Sequence, residues 1–415
     1  MTEKQEKAKK LSTEPYKGVR DFYPADMAIQ NYIFGKWKKT AESFGYEEYG
    51  ASVLEPADMY RAKSGEEIVN EQTYTFTDRG EREVTLRPEM TPTVARMVVA
   101  RKRELAFPLR WYSIPNLFRY EQPQRGRVRE HWQLNVDLFG VDSIEADIEV
   151  ISLAYQVMKD FGAKDEDFEI QVNSRDLLRE MFKGKLKSEE DLSKAVRLLD
   201  RRQKMKPAEF DAAMKELTTS PVDMSIVADG KVGKILANFK ELGIHNVRFE
   251  PTLARGFDYY TGMVFEIYDT SPENRRALFG GGRYDDLTSL FALSADRQGG
   301  DKIPAVGFGM GDVGMRNFLE THGLLPKAKG SADYYICVMS EAEAAFAEKI
   351  ARQLRNDPQN GGSRVAVDFT YKKIGDQIKG ADKRGIPNVI VIGAEEVKNG
   401  KAKVKNLETG QETDL

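Results

Sequence analysis

Residues 117–140 read "LFRYEQPQRGRVREHWQLNVDLFG". The whole chain has 415 residues and a formal net charge of −3, yet this stretch carries four arginines and no lysine. The pattern predicts a β-hairpin: one strand ends at Tyr120–Glu121, "QPQRG" turns, and a return strand begins at Arg127. Side chains alternate between the two faces of a strand. Arg127, Arg129, His131, Gln133, Asn135 and Asp137 therefore share one face, while Val128, Trp132, Leu134, Val136 and Leu138 share the other. Arg119 and Glu121 continue the polar set on the outgoing strand. A sheet with one solvated face is the ordinary source of such alternation. Solvated faces favour Lys, Thr and Glu, however, whereas this one offers Arg, Gln, Asn and Asp, whose hydrogen-bonding geometry is fixed. Guanidinium forks match phosphate oxygens two at a time. The reading favours a ligand-binding sheet face.

Outward from the hairpin, length and composition bound the rest. A chain of this size is too long for one ordinary core, so two or three domains are expected. It is 40% hydrophobic and 31% charged, without an apolar run long enough to span a membrane. The opening "MTEKQEKAKKLSTEP", residues 1–15, lacks the apolar core of a signal peptide and reads as a flexible tail. A single cysteine, Cys337, excludes an internal disulfide framework and fits a reducing cytoplasm; it lies in the apolar strand "YYICVMS", as a buried thiol would. Three histidines, none in a His/Cys cluster, argue against zinc. With 63 Lys+Arg against 66 Asp+Glu, any nucleic-acid surface must be local.

Along the chain, "ADMAIQNYIFGKWKKTAESFG" has helical apolar spacing, with Gly45 placed to cap the C-terminus. "REVTLRP" and "LRWYSIPNLFRYE" read as strands, and "RPEMTPTVARMVVA" begins a helix that Glu89 would favour through the dipole. Residues 175–245 turn charged and poor in β-branched side chains, as a helical insertion would. Strand patterns resume at "NVRFEP" and "GMVFEIYD". In "ARGFDYYTGMVFEIYD", Phe257, Tyr259, Met263, Phe265 and Ile267 fall on one face of the alternation, and Asp258, Tyr260, Gly262 and Glu266 on the other. "GLLPKAKGSAD", 323–333, has linker chemistry, and beyond it strands and helices alternate as β-α-β-α-β, a small α/β domain. The glycine runs "GFGMGD" and "FGGGRYDD" match neither a dinucleotide fingerprint nor a P-loop. They read as backbone making room for a ligand, or as bends.

The hairpin resembles motif 2 of the class II aminoacyl-tRNA synthetases, in the form found in histidyl-tRNA synthetases. Its neighbours agree in order and spacing: "KGVRDFYP" resembles that family's opening signature and "YGASVLEP" its motif 1, with Pro56 at a dimer interface. "LRPEMTP" resembles the amino-acid clamp, "ARGFDYYTGMVFE" and "GGGRYDDL" the two histidine motifs, and "AVGFGMGDVGM" motif 3. The likeness runs from residue 16 to 415. It implies a class II antiparallel-sheet catalytic domain over 16–325, interrupted by the helical insertion, and an anticodon-binding α/β domain over 331–415.

The resemblance also implies a histidine–tRNA ligase. L-histidine and ATP would form histidyl-adenylate, and the acyl group would pass to the 3′ end of tRNA(His), in a cytoplasmic homodimer without DNA or membrane partners. Arg119 and Arg255 would clamp the α-phosphate. Glu121, Arg127 and Arg129 would border the ATP site, with magnesium on the outer phosphates. For Arg127 and Arg129 a surface pair beside the turn remains open. Glu89, Thr91, Gln133, Asp137, Tyr260 and Tyr284 would bind histidine; an imidazole that donates at one nitrogen and accepts at the other needs a carboxylate and a hydroxyl. "YKKIGDQIKGADKRG", with five basic residues against two acidic, would place a helix against RNA. One departure stands out: Val313 and Gly314 occupy the positions of the family's Glu-Arg pair in motif 3, and Arg316 is roughly 200° away around a helix. It raises the alternative of a catalytically silent, synthetase-like regulatory subunit of histidine biosynthesis.

Overall fold

The computed structural model describes residues 11–415 except 62–71, 189, 203–204, 225–227, 229, 275, 292–299, 327–329 and 358–361. Most of the tail, and part of the 323–333 linker, therefore lie outside the described residues. The chain divides into two compact units, Met1–Asp21 with Gln30–Leu325, and Pro326–Leu415 with Phe22–Ile29.

The first unit is organised by a nine-stranded sheet. Its long strand Glu130–Phe139 pairs antiparallel with Leu109–Ser113 on one side and Ala305–Gly311 on the other. Ala277–Arg283, Met263–Asp269 and Phe168–Ser174 follow, all antiparallel; only Glu47–Glu48 and Val247–Phe249, at the two edges, pair parallel. The apolar set of the long strand behaves as its alternation requires, with Leu134, Val136 and Leu138 fully buried. The helix Ile144–Asp160 buries Val150, Ile151, Leu153, Ala154 and Val157 and packs against the long strand and Ala305–Gly311. The insertion is helical, with Arg175–Phe182, Asp191–Arg201, Pro207–Leu217 and Gly230–Glu241. Leu178, Phe182, Val196, Leu199, Phe210 and Met214 give it a core of its own.

The strand expectations need correction. "LRWYSIPNLFRYE" is not one strand but two, Leu109–Ser113 and Asn116–Phe118, split at Pro115, which has no N–H to donate to a ladder. The hairpin's regular pairing likewise stops at Phe118 and Glu130. Beyond these residues the chain runs as a loop, closed by the Gln124–Arg127 bridge. Residues 255–262 are also loop, since the strand begins only at Met263. The alternation read through them fails, and Tyr259, assigned to the apolar face, turns toward the cavity described below. The first long helix runs Pro24–Ser43, and Gly45 follows it with φ +78°, a left-handed conformation that suits glycine at a helix end.

The second unit holds a five-stranded sheet in the order Val365–Asp368, Tyr334–Val338, Asn388–Ile392, Lys403–Asn406, Glu412–Asp414. The first three are parallel and connected through the helices Ala344–Arg355 and Ile374–Lys383, as the β-α-β-α-β reading expects. Cys337 is fully buried in the strand Tyr334–Val338, and burial pushes its thiol up to about 12.

Candidate active site

A cavity of about 930 Å³ opens on the polar face of the large sheet. Its lining grades from buried to exposed. Glu89, Tyr259, Tyr260 and Tyr284 are buried, whereas Arg125, Arg202, Glu273 and Arg276 are exposed to solvent. Of the residues singled out from sequence, Glu89, Thr91, Arg119, Glu121, Arg127, Gln133, Arg255, Tyr260 and Tyr284 line it together; Asp137 and Arg129 do not.

The sheet makes room for these side chains with glycine. Opposite Gln133, Asn135 and Asp137 stand Gly311, Gly309 and Gly307. A Cβ on Gly309 would lie 2.0 Å from Gln133 Nε2, and one on Gly307 would lie 2.7 Å from Asp137 Oδ1. On the next strand a Cβ at Gly280 would meet Arg255 Nη1 at 2.5 Å, and one at Gly282 would meet the Tyr260 ring at 2.9 Å. The glycine runs thus clear space for the site's own side chains, a third possibility beside a ligand or a bend.

At the buried end Glu89 precedes the helix Thr91–Arg101 and accepts a 3.0 Å hydrogen bond from Tyr259 Oη. Gln133 donates to Asn135 Oδ1 at 2.8 Å. Asp137 lies just behind the lining, 2% exposed, with Oδ1 accepting from Tyr284 Oη and Oδ2 without a hydrogen bond. Burial pushes its carboxyl up to about 7, against the lowering effect of the Tyr284 and Tyr49 hydroxyls. Tyr49 Oη is near enough to Asp137 and to Ser113 to interact with both electrostatically, yet it forms a hydrogen bond of normal geometry with neither. The pocket wall therefore holds a buried acceptor with spare capacity, unusual because such groups normally cost stability unless satisfied.

Two guanidiniums stand in the middle of the lining. Arg119 Nε donates to the Pro88 carbonyl at 2.8 Å, which orients the fork, and its guanidinium carbon lies 6.0 Å from the Phe257 ring centre. Arg255 Nη1 donates to Glu266 Oε1 at 2.8 Å, and Tyr268 Oη holds the other Glu266 oxygen at 2.6 Å. Toward solvent, Arg127 pairs with Glu121 at 3.1 Å and Arg125 with Glu273 at 3.6 Å.

Arg129 resolves the alternatives left open for it geometrically. It is 7% exposed, its guanidinium stacks 3.9 Å from the Tyr120 ring centre, and Nη1 donates to Tyr16 Oη at 3.0 Å. Its backbone N–H donates to the Gly18 carbonyl at 2.6 Å. It is a latch for Tyr16 and Gly18, at the start of the "KGVRDFYP" stretch. Asp312 does similar work from motif 3, accepting from Arg20 at 2.8 Å, Gln30 at 2.9 Å and the Trp132 N–H at 3.0 Å.

Sequence reasoning passed over several lining residues. Tyr259 and Glu266 were visible in the histidine motif, but a wrong extension of the strand hid the former. Asp200 and Arg202 come from the insertion, Arg276 from the turn before Ala277–Arg283, and Asn317 from the helix after motif 3; no local pattern marks any of them. His131 also lines the cavity. Burial, with Arg119 and Arg20 nearby, lowers its pKa to about 3, so the ring is neutral.

An antiparallel sheet whose polar face carries converging arginines beside a buried carboxylate–tyrosine pocket is the architecture of a class II aminoacyl-tRNA synthetase. Comparison with known families makes this specific. Residues 18–228 and 204–311 match the model of histidyl-tRNA synthetase, and 333–415 match that of an anticodon binding domain. A histidine–tRNA ligase of Leptospira biflexa is 41% identical over 97% of this chain and 94% of its own length. That of Thermoplasma volcanium is 37% identical, covering 97% and 96%. Among solved structures, apo histidyl-tRNA synthetase of S. aureus superposes with a TM-score of 0.73 at 25% identity, covering 98% of this chain and 97% of that one. The synthetase from Nostoc sp. PCC 7120 shares the fold with a TM-score of 0.79 at 20% identity, with the same coverage. The chain belongs to the histidyl-tRNA synthetase family.

Proposed function

We propose that this chain is a histidine–tRNA ligase working as a cytoplasmic homodimer. The observation that carries the reading is the cavity in which Arg119 and Arg255 meet the Glu89–Gln133–Tyr260–Tyr284 pocket. The histidine carboxylate oxygen attacks the α-phosphorus of ATP; the bond to the bridging oxygen breaks and pyrophosphate leaves. A terminal ribose hydroxyl of tRNA(His) then attacks the acyl carbon, and AMP leaves. Anion–anion repulsion and positioning dominate the first barrier, so preorganised cations at the α-phosphate do most of the catalysis. Arg119 is preset by Pro88. Arg255, held by Glu266, must share or exchange that partner when the nucleotide enters.

Histidine binds at the buried end, with its α-amino group toward Glu89 and Gln133 and Thr91 alongside. The ring meets Tyr260 and the Tyr284–Asp137 pair, where the spare Oδ2 of Asp137 supports donation from an imidazole N–H. Glu121 and Arg127 border the triphosphate, while Arg129 acts through the loop it braces. Among the described residues no group of three or more His, Cys, Asp or Glu could hold a metal. Magnesium would arrive with ATP, ligated mainly by phosphate oxygens and water, with Glu121 or Glu266 available among the carboxylates of the lining.

Residues 16–325 carry the chemistry in this reading and 331–415 bind the anticodon region, where Lys372, Lys373, Lys379, Lys383 and Arg384 lie on or beside the helix Ile374–Lys383. Leu54 and Phe76, exposed on the small sheet that contains Pro56, support the dimer. No described helix is long and apolar enough to cross a membrane. The regulatory-subunit alternative is not favoured: the ligases named above match nearly end to end. A structure from Bacillus halodurans described as an ATP phosphoribosyltransferase regulatory subunit or histidyl-tRNA synthetase is 22% identical and shares the fold alone. The test is histidine-dependent ATP–pyrophosphate exchange followed by charging of tRNA(His). Activity with histidine alone among the amino acids is expected; histidine binding without exchange would overturn the reading.

A further inference from the structure

The glycine at position 314 leaves a corner of the cavity without the cation expected there, and the structure shows what else reaches it. Three elements bound the corner. The helix Asp312–Thr321 contributes Val313, Gly314 and Asn317; the loop after Phe118 contributes Arg125, Gly126 and Arg127; the start of the strand Ala277–Arg283 contributes Ala277 and Leu278, with Arg276 just before it. They lie close together. A Cβ on Gly314 would lie 3.1 Å from the Leu278 carbonyl oxygen, and one on Gly126 would lie 4.0 Å from Asn317 Nδ2. The register between Met263–Asp269 and Ala277–Arg283 shifts between Ile267 and Tyr268, so the later strand carries an extra residue. Leu278 is that extra residue, and Arg276, Ala277 and Leu278 line the cavity in succession beside it.

Arg276 Nη2 donates to Gln124 Oε1 at 3.1 Å, which joins the turn before the strand to the tip of the arginine-rich loop. The neighbouring Arg125–Glu273 pair joins the same two segments. Arg125 and Arg127 each face a carboxylate, whereas the hydrogen bond from Arg276 goes to a neutral amide, so among the described residues its charge is the less compensated within this rim. A flexible, solvent-exposed guanidinium held by a neutral hydrogen bond can swing onto a polyanion at little cost, and a bidentate fork suits a terminal phosphate.

We propose that Arg276 binds the outer phosphates of ATP, supplying from the strand side the positive charge that position 314 does not supply from the helix side. The assignment rests on the ligase reading above and adds a specific residue to it. Arg276 touches the nucleotide's leaving group and not histidine, so it belongs to ATP and pyrophosphate binding alone.

The experiment compares the parent with Arg276→Ala and Arg276→Lys, full length, by exchange kinetics and by calorimetric binding of ATP and of a non-hydrolysable histidyl-adenylate analogue, which has no β- or γ-phosphate. For Arg276→Ala the KM for ATP should rise about ten- to a hundredfold, the loss of one charge-assisted contact. The KM for pyrophosphate should rise with it, while the KM for histidine and the affinity for the analogue stay unchanged. Arg276→Lys should recover part of the loss. An unchanged ATP affinity in Arg276→Ala, or an equal loss for the analogue, would overturn the assignment. A parent inactive in exchange whose ATP binding nevertheless depends on Arg276 would support the assignment while overturning the ligase reading.

Discussion

At the buried end of the cavity the side chains are already joined to one another. Tyr259 donates to Glu89, Tyr284 to Asp137 and Gln133 to Asn135, and all but Tyr259, which comes from the 255–262 loop, lie on or beside a strand or helix. At the exposed end the charged groups sit on loops and are held by one another, Arg127 by Glu121 and Arg125 by Glu273. On the proposed ligase reading, the difference follows from what each end would recognise. A small amino acid is told from others by hydrogen-bond geometry, and discrimination is steep only where an unmatched polar group is left buried. A triphosphate is recognised by charge, and exposed ion pairs worth about 0–1 kcal/mol are readily exchanged for phosphate contacts. On that reading, hydrogen bonds fix the end that would select and exchangeable ion pairs line the end that would grip.

The largest effect should come from the residue between the two ends. Arg255→Ala is expected to lower exchange turnover by a factor on the order of 10²–10³, the cost of one preorganised group facing transition-state charge, with histidine affinity retained. Because the substitution also strands Glu266, Arg255→Ala with Glu266→Gln should be measured beside it. Calorimetry with histidine and exchange kinetics together decide. Near-normal exchange in the single variant would remove Arg255 from the clamp, and lost histidine binding would assign it to the buried end instead.

Asp137→Asn tests the buried end through two opposite consequences. Histidine affinity should fall about ten- to a hundredfold through loss of a charged acceptor, and ATP affinity should not change. Stability should move the other way. A carboxyl whose folded pKa is raised to about 7 from an ordinary 3.8 holds its proton more tightly when folded. The charged form is penalised, so the fold loses stability as pH rises from about 4 to about 7, and the penalty is fully present above that. The neutral amide of the variant carries no such penalty. The ligand-free variant should melt a few degrees higher than the parent at pH 8, on the order of 2–4 °C per kcal/mol relieved, and the gap should close near pH 4. A constant gap across that range would mean that Asp137 is not desolvated as the structure has it. His131, whose pKa burial lowers from an ordinary 6.5 to about 3, stays neutral in the fold; it takes stability from parent and variant alike as pH falls below about 6.5, and so leaves the gap between them unchanged.

How much of this was legible beforehand follows the same division. The buried end is built from strand alternation and family motifs, so Glu89, Gln133, Tyr260 and Tyr284 could be named from sequence and do converge. Alternation misled only where the chain is not a strand: extended through 255–262, it sent Tyr259 to the wrong side. The exposed end is assembled by tertiary contact. Asp200, Arg276 and Asn317 reach the cavity from a helical insertion, a turn and a helix that share no periodicity. Arg129 shows a different limit. Its place in the polar row left a phosphate contact and a surface pair open, and parity along a strand cannot reveal that Tyr16 and Tyr120 enclose the side chain.

The smallest effect, and the sharpest test of the exposed end, is expected from restoring the motif 3 pair as Val313→Glu with Gly314→Arg. The position is tight but not closed. A Cβ at 314 comes to 3.1 Å from the Leu278 carbonyl, so the strand or the helix must yield by a few tenths of an ångström. If it yields, the new guanidinium enters the corner that Arg276 already serves, and two like charges there repel. Tighter ATP binding by no more than about 1 kcal/mol is expected in the parent background, the scale of a partly exposed cation contact. In the Arg276→Ala background the same pair should recover most of what was lost, because a single cation then serves a single phosphate. Both gains are read as the KM for ATP, with thermal melts confirming that the helix Asp312–Thr321 accepts the side chains. Equal gains in the two backgrounds would place positions 276 and 314 in separate subsites. A gain only in the absence of Arg276 would mean that the rim needs one cation and is indifferent to which element carries it.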